Sequence, residues 1–301
     1  MLTALSLTKR YGSTTALDNF TVELATGITG LVGANGAGKS TFLRILLGLT
    51  RPTSGSVSVF GHDVQQHAMQ VRALVGYLPE HDCLPPEVSG TDFVTHIGQM
   101  SGLPFTAARE RAAESLRHVG LHEERYRLIG SYSTGMKQRV KLAQAIVHDP
   151  RLLLLDEPTN GLDPEGRDEM LQLVERTGRE FGIAIIVTSH LLGEIERVCD
   201  FLVAIESGAL QYAGPVSAFT QKTERLLVEL DDDVPAFADR LRSAGLEVEG
   251  SGHTLHVAVR DGVYDTIRDV AADLGAPLAR MELTRGRLED LFRASGGGIR
   301  S

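Results

Sequence analysis

The residues from Gly33 to Thr41 have the types and spacing needed to hold a phosphate chain. They follow the pattern Gly-x4-Gly-Lys-Ser/Thr. Glycines let the backbone turn tightly with its N–H groups inward, and Lys39 adds a positive charge for the β and γ phosphates. The Ser40 hydroxyl is a suitable ligand for Mg²⁺ carried by those phosphates. The predicted phosphate-binding residues are Gly33, Ala34, Asn35, Gly36, Ala37, Gly38, Lys39, Ser40 and Thr41.

Two acids follow an apolar run further along the chain. Leu152–Leu155 leads directly into Asp156-Glu157-Pro158. At the end of a strand, Asp156 can hold the Mg²⁺ hydration shell, while Glu157 can orient or deprotonate an attacking water. Such a tripeptide taken by itself is equally typical of a turn. Its occurrence downstream of a phosphate-binding loop favours the chemical interpretation.

The elements around these residues are typical of an α/β fold. Gly30–Val32 ends an apolar run, and Phe42, Ile45 and Leu46 follow the glycines at helical spacing, which predicts a strand, a loop and a helix. Continuous apolar runs at Leu152–Leu155 and 183–188 predict parallel strands buried on both faces. The sequence therefore predicts a mixed sheet core.

Other segments indicate subdomains around this core. Residues 1–32 alternate apolar and polar side chains and predict antiparallel strands, whereas residues 82–148 have a helical pattern. From about residue 224 the predicted order is strand, helix, strand, strand, helix, strand, as in a ferredoxin-like α+β domain, with a last helix at 288–292. The expected domains are 1–215 and 222–294, followed by a disordered tail at 295–301.

Composition limits the functional classes. The chain has 301 residues, a net charge of −9 and 42% hydrophobic residues. This charge argues against a nucleic-acid partner, since such proteins usually carry a basic face. No run approaches the roughly 18 apolar residues of a membrane span, and Met1–Arg10 lacks the order of a signal peptide. A cytoplasmic location is therefore expected.

Further motifs occur in an order that resembles the nucleotide-binding subunit of ATP-binding cassette (ABC) transporters over about residues 1–215. This resemblance assigns Tyr11 to adenine stacking, Glu80 to the Q-loop and His190 to the switch histidine. It also assigns Ser133 and Gly135 to the signature, Asp163 to the D-loop, and Glu157 to the catalytic acid. The resemblance implies ATP and Mg²⁺ as cofactors, with Ser40, Glu80 and Asp156 at the metal and Lys39, Glu157 and His190 in catalysis.

Two departures from the family pattern are visible. The signature reads Ser-Thr-Gly-Met at 133–136 instead of Ser-Gly-Gly-Gln, and the Q-loop position carries Glu80 instead of Gln. A carboxylate still ligates Mg²⁺, but its charge faces the phosphates. The motifs at 77–80 and 132–139, with a C-terminal extension ending at 288–292, are similar to the branch that pairs with ABC-2 type permeases, mostly exporters.

The resemblance also implies partners. The signature must face the nucleotide of a second subunit, so a head-to-tail dimer is implied, as a homodimer or with another cassette. A separate ABC-2 type permease is expected to dock near residues 80–104 and to hold the subunit at the inner face of the membrane. Met69, Phe93 and Met100 could contact that partner, although a core position is the preferred interpretation.

Two other functional classes remain open on the sequence. A cytoplasmic ABC ATPase without transport is disfavoured because a second cassette and a coiled-coil insertion are missing from this sequence. A non-hydrolysing module is disfavoured by the presence of Lys39, Asp156, Glu157 and His190. A P-loop kinase would leave the signature and the switch histidine unexplained. The C-terminal domain is interpreted as a dimer clamp or a regulator, with a stability cap as the alternative.

Overall fold

The computed structural model describes residues 1–223, 225–231 and 235–284. The described residues form two compact units that divide after Pro215. The predicted helix at 288–292 and the predicted tail at 295–301 lie outside the described residues.

The first unit is built on two sheets. Its strands are β1 Leu2–Tyr11, β2 Thr14–Leu24, β3 Ile28–Val32, β4 Ser54–Val59, β5 His62–Asp63, β6 Val75–Leu78, β7 Leu152–Leu155, β8 Ala184–Ser189, β9 Phe201–Glu206 and β10 Ala209–Pro215. One sheet is antiparallel with the order β2-β1-β4-β5. The other has the order β10-β9-β3-β8-β7-β6 and is parallel except at the β9–β10 pair. The predicted α/β class with a mixed sheet core is therefore confirmed.

The prediction of antiparallel strands over residues 1–32 was wrong for the last strand. β1 and β2 pair antiparallel, but β3 lies between β8 and β9 in the other sheet and runs parallel to both. All five residues of β3 are buried, in contrast to the alternating exposure of β2. The alternation ends at Ile28 because β3 is covered on both faces. This change of sheet places the end of β3, and so the phosphate-binding segment, at the centre of the mixed sheet.

Helices complete the first unit. They are α1 Lys39–Leu46, α2 Ala68–Leu74, α3 Gly90–Met100, α4 Phe105–His118, α5 Thr134–Ile146, α6 Pro164–Phe181 and α7 Leu192–Val198. Helix α1 buries Phe42, Leu43 and Ile45 in the core shared with the antiparallel sheet, and the rings of Phe42 and Phe20 are 5.0 Å apart. Burying each such side chain contributes about 1.5–3 kcal/mol, so this packing anchors the start of α1.

The helical insertion is formed by α3, α4 and α5, which pack on one another. The preferred assignment of two methionines to the core was wrong, because Met69 and Met100 are each 73% exposed. Phe93 is half-buried. No helix among the described residues combines the length and the apolar character needed to cross a membrane.

The second unit has the ferredoxin-like order. After α8 (Val216–Thr223) come β11 Arg225–Leu230, α9 Pro235–Ser243, β12 Val248–Ser251, β13 Thr254–Ala258, α10 Val263–Leu274 and β14 Leu278–Thr284. The sheet order is β12-β13-β11-β14, and every pair is antiparallel. Leu226, Val228, Phe237 and Ile267 lie in a core of their own, between the sheet and the helices. This βαββαβ order is the one that the strand and helix patterns predict.

Candidate active site

The loop between β3 and α1 has a backbone that needs glycine. Gly38 precedes α1 with φ of 115°, and a Cβ atom there would lie 2.5 Å from the carbonyl oxygen of Ala16. Gly36 also has a positive φ, of 84°. Residues 34–41 line a cleft of about 260 Å³, together with Glu80 and Glu157. The cleft therefore combines a glycine-shaped loop with the positive end of the α1 dipole, as an anion site requires.

Lys39 is held inside this cleft by two oxygen atoms. Its side chain is 6% exposed, and Nζ donates to the carbonyl oxygen of Gly33 at 2.7 Å. The Oε1 atom of Glu157 is 3.3 Å from the same Nζ, in an ion pair whose geometry is not that of a hydrogen bond. Burial of an ammonium group requires such compensation. A bound phosphate would add a second anion next to Glu157.

Asp156 lies beside the start of α1. Its Oδ1 atom accepts hydrogen bonds from the Ser40 hydroxyl at 3.4 Å and from the Thr188 hydroxyl at 2.9 Å. The Thr188 oxygen in turn accepts the backbone N–H of Glu157 at 2.8 Å. Thr188 thus positions both acids, although no prediction from the sequence included it. The available signal was a polar residue at the end of a buried apolar strand.

Glu157 contacts the predicted switch histidine. Its Oε2 atom is 2.9 Å from Nδ1 of His190, whose side chain is half exposed. The Glu157 backbone has a φ of 50°, which is uncommon for a residue with a side chain. Such a conformation costs about 1–3 kcal/mol and is frequent at functional sites. It places the carboxylate between Lys39 and His190.

The oxygen donors at this cleft fit Mg²⁺. Ser40 lines the cleft and contacts Asp156, and Glu80 lines the same cleft, so the site offers hydroxyl and carboxylate oxygens of the kind that Mg²⁺ prefers. Tyr77 lies next to this group. Burial, and then the negative charge of Asp156, raise the pKa of Tyr77 to about 12. The Tyr77 hydroxyl thus stays protonated and can donate a hydrogen bond to the Asp156 carboxylate.

Two lysines of α5 hold the segment that carries Glu80. Lys141 is buried, and its Nζ donates to the carbonyl oxygens of Pro79 at 2.8 Å and of Glu80 at 3.2 Å. Lys137 forms an ion pair of 2.8 Å with Asp82. Burial lowers the pKa of Lys141, against the opposing effect of nearby acidic groups that include Glu80 and Asp156. This connection is not predictable from the sequence, because it depends on packing between distant segments.

Seven predicted site residues lie outside the lining of the cleft: Gly33, Asp156 and His190, whose contacts are described above, and Tyr11, Ser133, Gly135 and Asp163. Tyr11 ends β1 and is 46% exposed, with Lys9 Nζ 4.7 Å from the centre of its ring. Ser133 caps α5 by accepting the N–H of Met136 at 3.3 Å, and Gly135 lies in the first turn of that helix. Asp163 caps α6 by accepting the N–H of Gly166 at 3.0 Å. Within one chain, Ser133, Gly135 and Asp163 lie at helix starts and Tyr11 lies at the end of a strand, all outside the lining of the cleft.

Fold and site together define a P-loop nucleoside triphosphatase with a helical insertion and an antiparallel subdomain. Comparison with known proteins supports this class. The family model for the ABC transporter domain matches residues 17–160. The Nod factor export ATP-binding protein I of Ralstonia nicotianae is 34% identical over 306 residues, covering 100% of this chain and 95% of that protein.

Other relatives are similar over nearly their whole length. The bacitracin transport ATP-binding protein BcrA of Enterococcus faecalis is 33% identical, covering 98% of this chain and 96% of that protein. A solved ATP-binding subunit of an ABC transporter is 27% identical with a TM-score of 0.65, covering 73% of this chain and 92% of that one. The chain therefore belongs to the ABC transporter family, as an ATP-binding subunit that hydrolyses ATP.

Proposed function

We propose that this subunit uses ATP to drive export of a small molecule or lipid-like compound through a separate permease of the ABC-2 type. The observation that carries the proposal is a cleft lined by Lys39, Ser40 and Glu157, with Asp156 in contact with Ser40 and His190 in contact with Glu157. The names of the relatives, which describe Nod factor export and bacitracin transport, support the export direction. In this role the subunit would lie at the cytoplasmic face of the membrane.

Each predicted site residue has a distinct role in the proposed hydrolysis. The backbone N–H groups of residues 34–41 and Lys39 bind the β and γ phosphates, and Tyr11 stacks on adenine. Ser40 and Asp156, with Glu80, would hold Mg²⁺, which neutralises charge on the phosphates when bound. Glu157 orients the attacking water, and His190 steadies Glu157 and contacts the γ-phosphate. Electrostatic stabilisation by these fixed groups supplies the catalysis.

The complete site requires a second subunit in this proposal. Ser133 and Gly135 lie at the N-terminus of α5, where exposed N–H groups can bind an anion, but they do not line the cleft of their own chain. A second copy placed head to tail would bring this helix start, and Asp163, to the γ-phosphate. Hydrolysis of the γ-phosphate then removes the contact that joins the two copies.

The permease is proposed to bind on the helical insertion. A surface groove there is lined by the exposed side chains of Phe105, Tyr126 and Leu128, together with the charged Asp92 and Arg109. Exposed aromatic groups next to charges suit a short amphipathic helix of a membrane protein. This groove includes part of the 80–104 region expected from the sequence.

The second unit is proposed to act as a dimer clamp or a regulator. It has a separate core, and it follows the catalytic unit after Pro215. Deletion of residues from 221 onward should weaken ATP-dependent dimerisation or change the ATPase rate. Unchanged dimerisation, ATPase rate and transport would refute this role.

The experiment for the whole proposal measures mass by light scattering during size exclusion, with and without ATP. Glu157→Gln should form an ATP-dependent dimer, because ATP stays intact between the copies, while the parent chain hydrolyses Mg-ATP. Glu110→Gln, an exposed change on α4, is the matched control and should behave as the parent. A Glu157→Gln chain that binds ATP and stays monomeric would contradict the homodimer.

A further inference from the structure

We infer that Glu194 is a positioning residue that holds the Glu157 and His190 loops together. This inference rests on the proposed roles of Glu157 and His190. Glu194 is 8% exposed, and a single carboxylate oxygen, Oε2, accepts two hydroxyl donors. The donors are Ser189 at 2.7 Å and Thr159 at 2.9 Å. Both donors are themselves buried, so the three groups form a closed polar cluster.

The two hydroxyls belong to the segments that carry the reacting groups. Ser189 is the residue before His190, and Thr159 is two residues after Glu157. Asn160 N–H also donates to the Glu157 carbonyl oxygen at 3.0 Å, so the turn after Glu157 is closed on itself. By accepting from both segments, Glu194 sets the separation between them. This spacing of the two segments allows the 2.9 Å contact between Glu157 Oε2 and His190 Nδ1.

The position of Glu194 is set by its neighbour in α7. Ile195 is fully buried against β3, and a Cβ atom on Gly30 would lie 2.3 Å from Ile195 Cγ2. Gly30 therefore allows α7 to approach the sheet closely. The N–H of Leu191 also donates to the Ser189 hydroxyl oxygen at 3.0 Å. The carboxylate is thus presented from a rigid support, as a positioning group requires.

The cluster extends toward the signature helix. Gln138 of α5 donates through Nε2 to the carbonyl oxygen of Asn160 at 3.2 Å. A chain of contacts thereby runs from His190 through Ser189, Glu194 and Thr159 to the turn that touches α5. The Oε1 atom of Glu194 has no hydrogen-bond partner in the described part of the chain. A buried carboxylate oxygen without a partner is unusual. We therefore attribute the presence of Glu194 to the two hydrogen bonds that its Oε2 atom accepts, and not to packing alone.

The test measures steady-state ATP hydrolysis as a function of ATP concentration, for Glu194→Ala and Glu194→Gln in the parent and in His190→Ala. Glu194→Ala should lower kcat about 10-fold or more and change KM less than about 3-fold, because the loss concerns alignment and not ATP binding. Glu194→Gln keeps an acceptor oxygen and should retain at least about a third of kcat. In His190→Ala, Glu194→Ala should cost less than about 3-fold, because both changes act on one contact.

Opposite outcomes would overturn the inference. These are an equal fold-loss from Glu194→Ala in both backgrounds, a change confined to KM, or a Glu194→Gln variant as slow as Glu194→Ala. If Glu194→Ala fails to fold, the hydroxyl deletions Thr159→Val and Ser189→Ala replace it, with the same expected dependence on His190. Full turnover by both Glu157→Gln and His190→Ala would instead refute the proposed site roles on which the inference rests.

Discussion

Lys39 Nζ lies 3.3 Å from Glu157 Oε1, so the cation of the phosphate-binding loop is paired with the acid proposed to activate water. Both side chains are buried, and both line the same cleft. A γ-phosphate must share Lys39 with this carboxylate. The pair therefore links ATP binding to the position of the catalytic acid, since a phosphate that attracts Lys39 also changes the surroundings of Glu157.

Glu157→Gln should separate binding from hydrolysis. Turnover should fall at least about 100-fold because the water-orienting carboxylate is lost. The affinity for ATP should be unchanged or higher, because a negative charge beside the phosphates is removed. Equilibrium binding of ATP and steady-state phosphate release check the two parts, with Glu110→Gln as the control. A large loss of ATP affinity in Glu157→Gln would contradict the inference that Glu157 and the γ-phosphate share Lys39.

Thr188→Val should damage the site without changing its volume much. The hydroxyl both donates to Asp156 and accepts from Glu157 N–H, and it is fully buried. Leaving those partners unsatisfied should lower the free energy of unfolding by about 1–3 kcal/mol and reduce kcat. Urea unfolding and ATPase assays measure both effects. Thr188→Ser keeps the hydroxyl, and equal losses in the Ser and Val variants would argue against the hydrogen bonds.

Gly38→Ala should abolish nucleotide binding. The added Cβ would meet the Ala16 carbonyl oxygen at 2.5 Å, and the φ of 115° is unfavourable for alanine. We expect a loss of about 1–3 kcal/mol in unfolding free energy, or a displaced loop. Gly193→Ala is the matched control, because a Cβ there meets open space within α7. Binding of a fluorescent ATP analogue and thermal unfolding distinguish the two variants, and normal binding by Gly38→Ala would refute the prediction.

Lys141→Met should weaken ATP binding through Glu80. The change removes two hydrogen bonds to the backbone of residues 79–80 and a positive charge near Glu80. An uncompensated carboxylate at the cleft repels phosphate, so Kd for ATP should rise about 3- to 10-fold. Adding Glu80→Gln should recover much of that loss. If the double variant binds as poorly as Lys141→Met, the backbone contacts rather than the charge explain the effect.

The phosphate-binding segment before α1 and the two acids of the site could be predicted because their sequence patterns are local. The glycine spacing at 33–38 and the acids after Leu152–Leu155 reflect backbone and strand-end geometry within a few residues. The order of the second unit, from β11 to β14, follows from hydrophobic periodicity over single elements. In contrast, the pairing of β3 with β8 and β9 joins segments more than 150 residues apart in the chain, and residue patterns carry no direct information on it.

The sequence by itself predicted a phosphate-binding loop and the two acids of the site, because these functions require particular residue types at short spacing. Only the tertiary structure decided which buried polar groups serve the site. Ser40 and Asp156 are 116 positions apart, and Thr159 and Glu194 are 35 apart. Thr188, Lys141 and Glu194 acquire their roles from strand order and helix packing, where hydrogen-bond partners are brought together by the collapse of distant segments.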